Sequence, residues 1–444
     1  MEISPKNLLD QTQPARRARR AWYLYDFGNS AYAAIVLLAV YSAYFKNAVV
    51  GGAEGTRLWG WAVGIAAVVV ALLSPVLGSI ADFSRSKKRL LFIFTAIAVV
   101  FTALLFFVRP GDVFIGMLFF ILAEIGYRGA QVFYDALLVD VSTPETIGNV
   151  SGKGWAMGML GGIACLVLVL VPIQLFPGNT LMVRVSFLIT AVFYAVSSIP
   201  VLLRVRQVNE PETLPAGEST IQHAFKKLGS TFRDIKRYKE FVKYTVSFLI
   251  YNDGIMMLMD NAAIIAGILY GFKTSELIIL IIILQLTGAG GAYLFGRVSN
   301  RQSSKQAILY SLAMLILVVA LLFFTRNKVF FYIIGALAGF ALSGVQAVSR
   351  TMVSQLSPPT KTAEFYGFLS VAGRTSTFIG PWVFGSVYAA FTNHYLNRGL
   401  SEQAAKSGGI LWSIGSIVVF LVVGLLFLLI VRKVTPQDPL RFDE

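Results

Sequence analysis

The chain has 444 residues, of which 56% are hydrophobic and only 14% are charged, whereas soluble domains carry about 25% charged residues. Together with a mean hydropathy of +0.70, this composition excludes a soluble globular protein and predicts an integral membrane protein. The net charge of +15 lies in short patches between apolar stretches, as in membrane loops, and argues against nucleic-acid binding, which needs a basic face on a soluble fold.

Apolar stretches of about 20 residues, the length that crosses a bilayer, occur twelve times in the chain. The first has no small-residue cleavage site behind it, so we expect a retained helix and no removed signal peptide. Cys165 is the only cysteine, and the two histidines do not form a ligand pair, so neither a disulfide, a metal nor a cofactor is expected. The predicted spans are roughly 22–45, 58–80, 90–108, 113–139, 155–176, 182–203, 242–269, 275–295, 306–325, 329–355, 364–391 and 410–431.

A polar segment separates the sixth span from the seventh. It contains NEPETLPAGEST, which is typical of a linker, and then KKLGSTFRDIKRYKE. The second part predicts a basic amphipathic helix on the anionic inner leaflet, although a solvated linker helix fits the same pattern. The predicted organisation is an N-terminal tail (1–21), a six-helix bundle (22–203), a linker (204–241), a second six-helix bundle (242–431) and a C-terminal tail (432–444).

The basic residues concentrate in the N-terminal tail, the second loop and the linker, so the positive-inside rule predicts that both termini are cytoplasmic. The chain also repeats itself in the same order and orientation. Such a parallel repeat predicts an all-α membrane protein with twelve transmembrane helices in two pseudo-symmetric bundles. Gly78 and Asp82 recur at one common offset as Gly296 and Asn300, and Gly129, Gln131, Asp135 and Pro144 recur at a second common offset as Gly344, Gln346, Arg350 and Pro359.

Two segments resemble the major facilitator superfamily. GSIADFSRSKKR (78–89) is similar to its loop signature of Gly, three residues, Asp and a basic cluster, but has Phe83 where a basic residue is usual and Arg85 where Gly is usual. The counterpart GRVSNRQSSK (296–305) keeps the basic residue as Arg301. In the fourth span, Arg128-x-x-Gln131 resembles the superfamily's Arg-x-x-Gln element. The resemblance implies the major facilitator fold, whose first, fourth, seventh and tenth helices line a central cavity.

Three other segments narrow the resemblance to one branch. WYLYDFGNSAY (22–32) resembles the YDFANSAY hallmark of the vacuole-effluxer-like branch, the autophagy-related vacuolar amino-acid exporters of fungi and their bacterial relatives. YGFLSVAGRTSTFIGP (366–381) and SFLIYNDG (247–254) are also similar to this branch. The resemblance implies a multi-pass protein of the cytoplasmic membrane if the chain is bacterial, or of the vacuolar membrane if it is fungal.

Ionisable side chains inside spans are the candidate functional residues. In the fourth span Glu124, Arg128, Gln131 and Asp135 follow one another at steps of 4, 3 and 4, so they share one face of a helix. Lipid cannot solvate them, and this face must therefore meet other helices or a cavity. The predicted substrate and proton pathway comprises Glu124, Arg128, Gln131, Asp253 and Asp260. Asp253 has no basic neighbour on its own helix, which makes it the candidate proton carrier; buried ion pairs that only fix helix register are the structural alternative.

Two further groups are predicted near the cytoplasmic ends of the helices. The candidate gate comprises Asp26, Asn29, Asp135, Arg350 and Arg374, and separate caps of unrelated helix ends are the alternative. The family resemblance implies a latch between the halves at the loop cluster, with topology-setting charge as the alternative. The latch residues are Gly78, Asp82, Lys88 and Arg89, with Lys87 in the same cluster, and their counterparts Gly296, Asn300 and Arg301.

The predicted function is a proton-coupled secondary transporter that exports a small polar or zwitterionic, amino-acid-like solute by alternating access. Acids together with Arg128 suit a zwitterion, and the predicted partners are this solute, protons and membrane lipid, with a monomeric chain. Two alternatives remain. One is a facilitator or exporter of another small metabolite or drug-like compound. The other is a membrane enzyme or flippase, although the sequence has no nucleophile–His arrangement, metal-ligand spacing or phosphate-cradling Gly loop.

Overall fold

The structure is a computed structural model that describes residues 13–176, 178–207, 220–233, 235–272 and 274–435. Within these ranges the chain forms long helices and contains no β-strand. A shorter helix, Thr220–Arg233, lies between the sixth and seventh of these long helices and is called the linker helix. The long helices are α1 (Gln13–Tyr32), α2 (Gly52–Phe83), α3 (Lys87–Leu104), α4 (Val113–Ala136), α5 (Ile147–Leu175), α6 (Thr180–Arg204), α7 (Lys239–Tyr270), α8 (Thr274–Arg301), α9 (Ser304–Leu321), α10 (Lys328–Leu356), α11 (Thr362–Asn397) and α12 (Glu402–Ile430).

Each predicted span overlaps one of these helices, and most of the helices extend beyond the apolar stretch. Helix α2, for example, has 32 residues and is about 48 Å long at 1.5 Å per residue. Within the described residues, eleven segments have the length and apolar composition of a membrane-crossing helix, and they include every long helix except α11. The chain is therefore an all-helical, multi-pass membrane protein.

The first span departs from regular α-helix in a way that the sequence did not predict. After α1 the chain continues through two wide π-helical segments, Ala33–Ala39 and Phe45–Val50, on either side of a short helical turn. No Pro or Gly lies in these segments. Two buried tyrosines lie in the turn between them and bond to neighbouring backbone, Tyr41 to the carbonyl of Gly116 at 2.8 Å and Tyr44 to that of Val108 at 3.1 Å. The side-chain packing therefore overrides the sequence's regular helical preference here.

The chain divides into two compact units. Unit 1 comprises residues 1–234 and 357–371, and unit 2 comprises residues 235–356 and 372–444. Helix α11 begins in unit 1 and continues in unit 2. In unit 1, α2 and α3 both pack against α4, α1 packs against α5 and α6, and α3 packs against α6.

Unit 2 repeats this packing six helices later. Helices α8 and α9 both pack against α10, α7 packs against α12, and α9 packs against α12. Each of these pairs is the counterpart of a pair in unit 1, as the parallel repeat in the sequence requires. The two halves therefore share an internal arrangement and not only a set of matching residues.

The linker helix belongs to unit 1 and packs against α2. Its Ala224 is fully buried, and Thr231, two turns later, is buried as well. Phe225 points away from this contact and is 57% exposed. From the sequence, a membrane surface and solvent both fitted as surroundings for this helix; the structure places one face of it on the protein.

Candidate substrate and proton pathway

Helix α4 carries the polar stripe that the sequence predicts. Glu124 is fully buried, and Arg128, one turn later, pairs with it through its Nε while its own side chain stays 23% exposed. The next polar residue, Gln131, is half-buried and donates from Nε2 to the hydroxyl of Tyr127 at 2.9 Å. The predicted i, i+4 ion pair is therefore present, and part of the Arg128 side chain remains exposed.

The surroundings of Glu124 are aromatic. Tyr32, from the end of α1, stacks on Tyr127 with ring centroids 4.5 Å apart, and both rings are buried. The second carboxylate oxygen of Glu124 and the hydroxyl of Tyr32 are buried, and the Tyr32 phenol interacts with the Glu124 carboxylate. A carboxylate oxygen can accept a proton, and a phenol beside it can donate a hydrogen bond to it or to the polar head of a solute.

Other aromatic residues near the stripe hold α1 against α4. Trp22 stacks on Tyr134 at 4.5 Å and donates from its indole nitrogen to the Tyr134 carbonyl at 3.1 Å. Tyr25 stacks on the same ring and bonds through its hydroxyl to Thr95 at 2.8 Å and to Tyr194 at 2.9 Å. These rings therefore pack α1 against α4.

In unit 2, Asp253 lies in the interior of α7 and is 1% exposed. Its Oδ1 accepts a hydrogen bond from the backbone N–H of Gly380 in α11 at 3.2 Å. Only glycine fits there, because an added Cβ would lie 2.7 Å from the Asp253 carbonyl oxygen. The next residue is Pro381, which lies inside α11 and cannot donate a backbone hydrogen bond to it. The candidate proton carrier therefore contacts α11 at its proline.

The other predicted residues on α7 and α10 lie in different surroundings. Asp260 is exposed, unlike the buried Asp253. The repeat counterpart of Gln131 is Gln346, which donates to the Asn252 side chain at 3.4 Å. Tyr251 bonds to the Ser349 hydroxyl at 2.7 Å, so α7 and α10 are held together next to the predicted gate residue on α10.

The predicted gate residues lie in both units. Asp26 and Asn29 are buried in α1, Asp135 is half-buried on α4, and Arg350 is 5% exposed in α10 of unit 2. The Arg374 side chain lies outside the described residues. The gate stays a prediction.

The loop cluster between α2 and α3 receives the first turn of α11. A Cβ on Gly78 would lie 2.7 Å from the Ala363 carbonyl carbon and 2.9 Å from the Glu364 nitrogen, so only glycine permits this approach. Asp82 Oδ2 accepts from the Glu364 N–H at 2.9 Å. The first N–H groups of a helix have no partner within it, and a carboxylate at that end also favours the helix dipole. Gly78 and Asp82 therefore hold the start of α11.

The basic member of this cluster is Lys87. Its side chain is 4% exposed, and its ammonium lies 3.2 Å from Asp82 Oδ1, 3.8 Å from Asp140 Oδ2 and 2.7 Å from the Thr362 hydroxyl. Its neighbour Lys88 is half-buried, and Arg89 is exposed. From the sequence, Lys87 was placed in the cluster but not singled out, and Thr362 and Asp140 were missed.

The repeated loop in unit 2 makes a different contact. Lys305 is the repeat counterpart of Lys87, at the same offset that relates Gly78 to Gly296. Its ammonium donates to the carbonyls of Leu429 at 2.7 Å and Val431 at 2.6 Å, at the end of α12. Among the predicted counterparts in this loop, Gly296 is buried, Asn300 is half-buried and Arg301 is exposed.

Comparison with known proteins places this arrangement in a family. The family described as "Vacuole effluxer Atg22 like" matches residues 60–147 and 142–396, which is most of the chain. The chain belongs to the vacuole effluxer Atg22-like family. This result confirms the branch that the segments at 22–32, 247–254 and 366–381 indicated.

Individual relatives agree with the family. The chain is 27% identical over 432 residues to the MFS-type transporter YxiO of Bacillus subtilis, covering 95% of this chain and 96% of that protein. It is 24% identical over 266 residues to Autophagy-related protein 22 of Yarrowia lipolytica, covering 54% of this chain and 45% of the fungal protein. The structure of the major facilitator superfamily proton:xylose symporter XylE superposes with a TM-score of 0.63 at 12% identity, covering 95% of this chain and 96% of that one.

These findings confirm the major facilitator fold for this effluxer-like chain, and its relatives are transporters and not enzymes. The enzyme alternative is therefore set aside. A bacterial relative and fungal relatives of a vacuole-effluxer family also fit the two membranes that the sequence resemblance implied.

Proposed function

We propose that this effluxer-like protein is a proton-coupled secondary transporter that exports a zwitterionic, amino-acid-like solute by alternating access. In this proposal α11 also crosses the membrane and completes the set of twelve spans. Both termini are cytoplasmic, and the two six-helix bundles predicted from the sequence act as the moving halves of a monomer. The observation that carries the proposal is the Glu124–Arg128 pair on α4, a buried acid beside an arginine whose side chain is partly exposed. The family description as vacuole effluxers supports the direction of transport.

The chemistry of this pair suits a zwitterion. A guanidinium presents a planar set of donors that matches a carboxylate, and Arg128 keeps part of its side chain accessible. An acid one turn away suits an ammonium group, and the buried hydroxyl of Tyr32 beside Glu124 offers a further polar contact. The solute carboxylate would compete with Glu124 for Arg128, so binding would free the Glu124 side chain from its ion pair.

Two acids are candidates for the proton. Asp253 accepts a hydrogen bond from a backbone N–H of α11 next to Pro381. Protonation of Asp253 would weaken that acceptor and loosen α7 from α11, which would join proton uptake to helix movement. Glu124 is the alternative carrier in the state in which the solute occupies Arg128.

The gate and the latch complete the proposed cycle. In this scheme the cytoplasmic side is closed by the gate residues Asp26, Asn29, Asp135, Arg350 and Arg374. While the cytoplasmic side is closed, the start of α11 is held by Gly78, Asp82 and Lys87. Exchanging the charges of Asp135 and Arg350 is expected to recover part of the transport that each single substitution abolishes. Absence of any recovery would remove this pair from the gate.

The decisive experiment is counterflow of radiolabelled amino acids in proteoliposomes, with and without a pH gradient. The test compares Glu124→Gln with Asp253→Asn. Substitution of the acid that carries the proton is expected to abolish the response of transport to the pH gradient but to leave exchange of the solute. Substitution of the other acid is expected to leave the response to the gradient. Glu402→Gln is the matched control, because Glu402 is an exposed acid that pairs with Lys406 at the surface. Transport of no zwitterion under either condition would refute the substrate class, and transport that ignores the gradient would favour a facilitator.

A further inference from the structure

The α2–α3 loop has two residues that depart from the superfamily's loop signature, Phe83 and Arg85, and both contact the linker. The Phe83 ring is 1% exposed. The His223 ring of the linker helix meets it edge-to-face, with centroids 5.0 Å apart, and Lys227 lies over it, with its ammonium 5.7 Å from the centroid. Both contacts come from one face of the linker helix, the face on which Ala224 is buried.

Arg85 holds the beginning of the linker. It is the only described residue other than glycine with a positive φ, at 53°, a conformation that L-residues avoid and that glycine adopts freely. Its guanidinium donates to the backbone carbonyl of Gln207. Arg85 therefore has a strained backbone at a position where the signature has glycine, and its side chain makes a hydrogen bond to the linker that glycine could not make.

The far end of the linker helix reaches the same part of α11 that the latch holds. The Thr231 hydroxyl accepts from the Lys361 ammonium at 2.9 Å, and it is also paired with the Glu364 side chain. The backbone N–H of Glu364 is the group that Asp82 binds. One short helix thus contacts the loop at one end and the first turn of α11 at the other.

We propose that the linker helix is a clamp that holds the α2–α3 loop and the first turn of α11 together. The clamp stabilises the latched state and slows its opening, so the linker sets how long the latch stays closed. A free helix of 14 residues is only marginally stable in water. The linker helix therefore depends on its contact with Phe83 to remain helical. Formation of this helix and closure of the latch are thus coupled, so a change that weakens one also weakens the other.

Hydrogen–deuterium exchange of the full chain in lipid nanodiscs tests this. Two peptides are followed, the linker helix at 220–233 and the first turn of α11 at 362–366. Phe83→Ala removes the docking ring, and Arg85→Gly removes the contact with Gln207 while relieving the backbone strain, so this variant folds even if the other does not. We expect exchange in both peptides to rise roughly threefold to tenfold in each variant. Phe83→Ala loses aromatic and cation–π contacts of about this strength, and Arg85→Gly loses a hydrogen bond of about this strength.

The matched control is Phe225→Ala, which removes an exposed phenylalanine from the opposite face of the same helix. Exchange in both peptides should then remain as in the wild type. If Phe225→Ala accelerates the linker as much as Phe83→Ala does, the membrane holds the helix and the clamp is overturned. Faster exchange in the linker with no change in α11 would also overturn it, since the helix would dock without acting on the latch.

Discussion

Substitution of Gly78 by alanine is the sharpest test of the latch. The new Cβ would lie 2.7 Å from the Ala363 carbonyl carbon, and ordinary contact begins at 3.4 Å, so α2 and the first turn of α11 must separate by at least about 0.7 Å. The bond from Glu364 N–H to Asp82, at 2.9 Å, would lengthen to about 3.6 Å, beyond the range of a hydrogen bond.

The energetic consequence follows from the charge of the acceptor. A hydrogen bond to a charged group contributes about 1.5–3 kcal/mol, so its loss raises the population of the unlatched state roughly 10- to 150-fold. The Glu364 N–H lies in the first turn of α11 and has no partner within its own helix. Its protection against hydrogen–deuterium exchange therefore depends on Asp82, and exchange of the 362–366 peptide should accelerate by the same factor.

Gly64→Ala provides the matched control. Gly64 lies in the same helix, and a Cβ there would meet nothing within 4 Å, so the substitution only raises helix propensity, by about 0.5–1 kcal/mol. Exchange of the 362–366 peptide should then stay as in the wild type. Equal exchange in Gly78→Ala and Gly64→Ala would refute the argument that the close approach at Gly78 holds α11.

Three other substitutions test the interior of unit 1 by the thermal midpoint of the purified protein. Arg128→Leu leaves the Glu124 carboxylate buried without a counter-charge and should lower the free energy of unfolding by about 3–5 kcal/mol; the double variant with Glu124→Gln should recover part of this loss, and no recovery would mean that the two are not coupled. Lys87→Met should lower the midpoint far more than Lys88→Met, because only Lys87 is buried between two acids; equal effects would contradict its place in the latch. Trp22→Phe keeps a ring against α4 but loses the indole hydrogen bond, with an expected loss of about 1–3 kcal/mol, and an unchanged midpoint would show that the stack alone holds the two helices.

The sequence predicts the architecture of this protein well, because membrane insertion leaves few alternatives. Every long helix except α11 is recognisable as a span by its length and hydropathy. The constant offsets between repeated residues, such as Gly78 and Gly296, align the two halves. The ion pair on α4 could be predicted too, since Glu124 and Arg128 lie four residues apart on one helix. Contacts between side chains on one helix can therefore be predicted from the sequence.

Contacts between different helices could not be predicted from the sequence in this way. The bond between Asp253 and Gly380 depends on the register of α7 against α11, which no periodicity specifies. The choice of Lys87 over Lys88 depends on where α3 begins, because one residue turns a side chain by about 100°. The π-helical segments after Tyr32 have no Pro or Gly to signal them.

The equivalent lysines of the two loops record a divergence between the halves. Lys87 and Lys305 occupy the same place in the repeat, yet one lies between carboxylates beside α11, while the other satisfies carbonyls at the end of α12. In the present chain the two equivalent lysines bond to different neighbours. A hybrid built from two copies of either half would therefore lack one of these two sets of contacts.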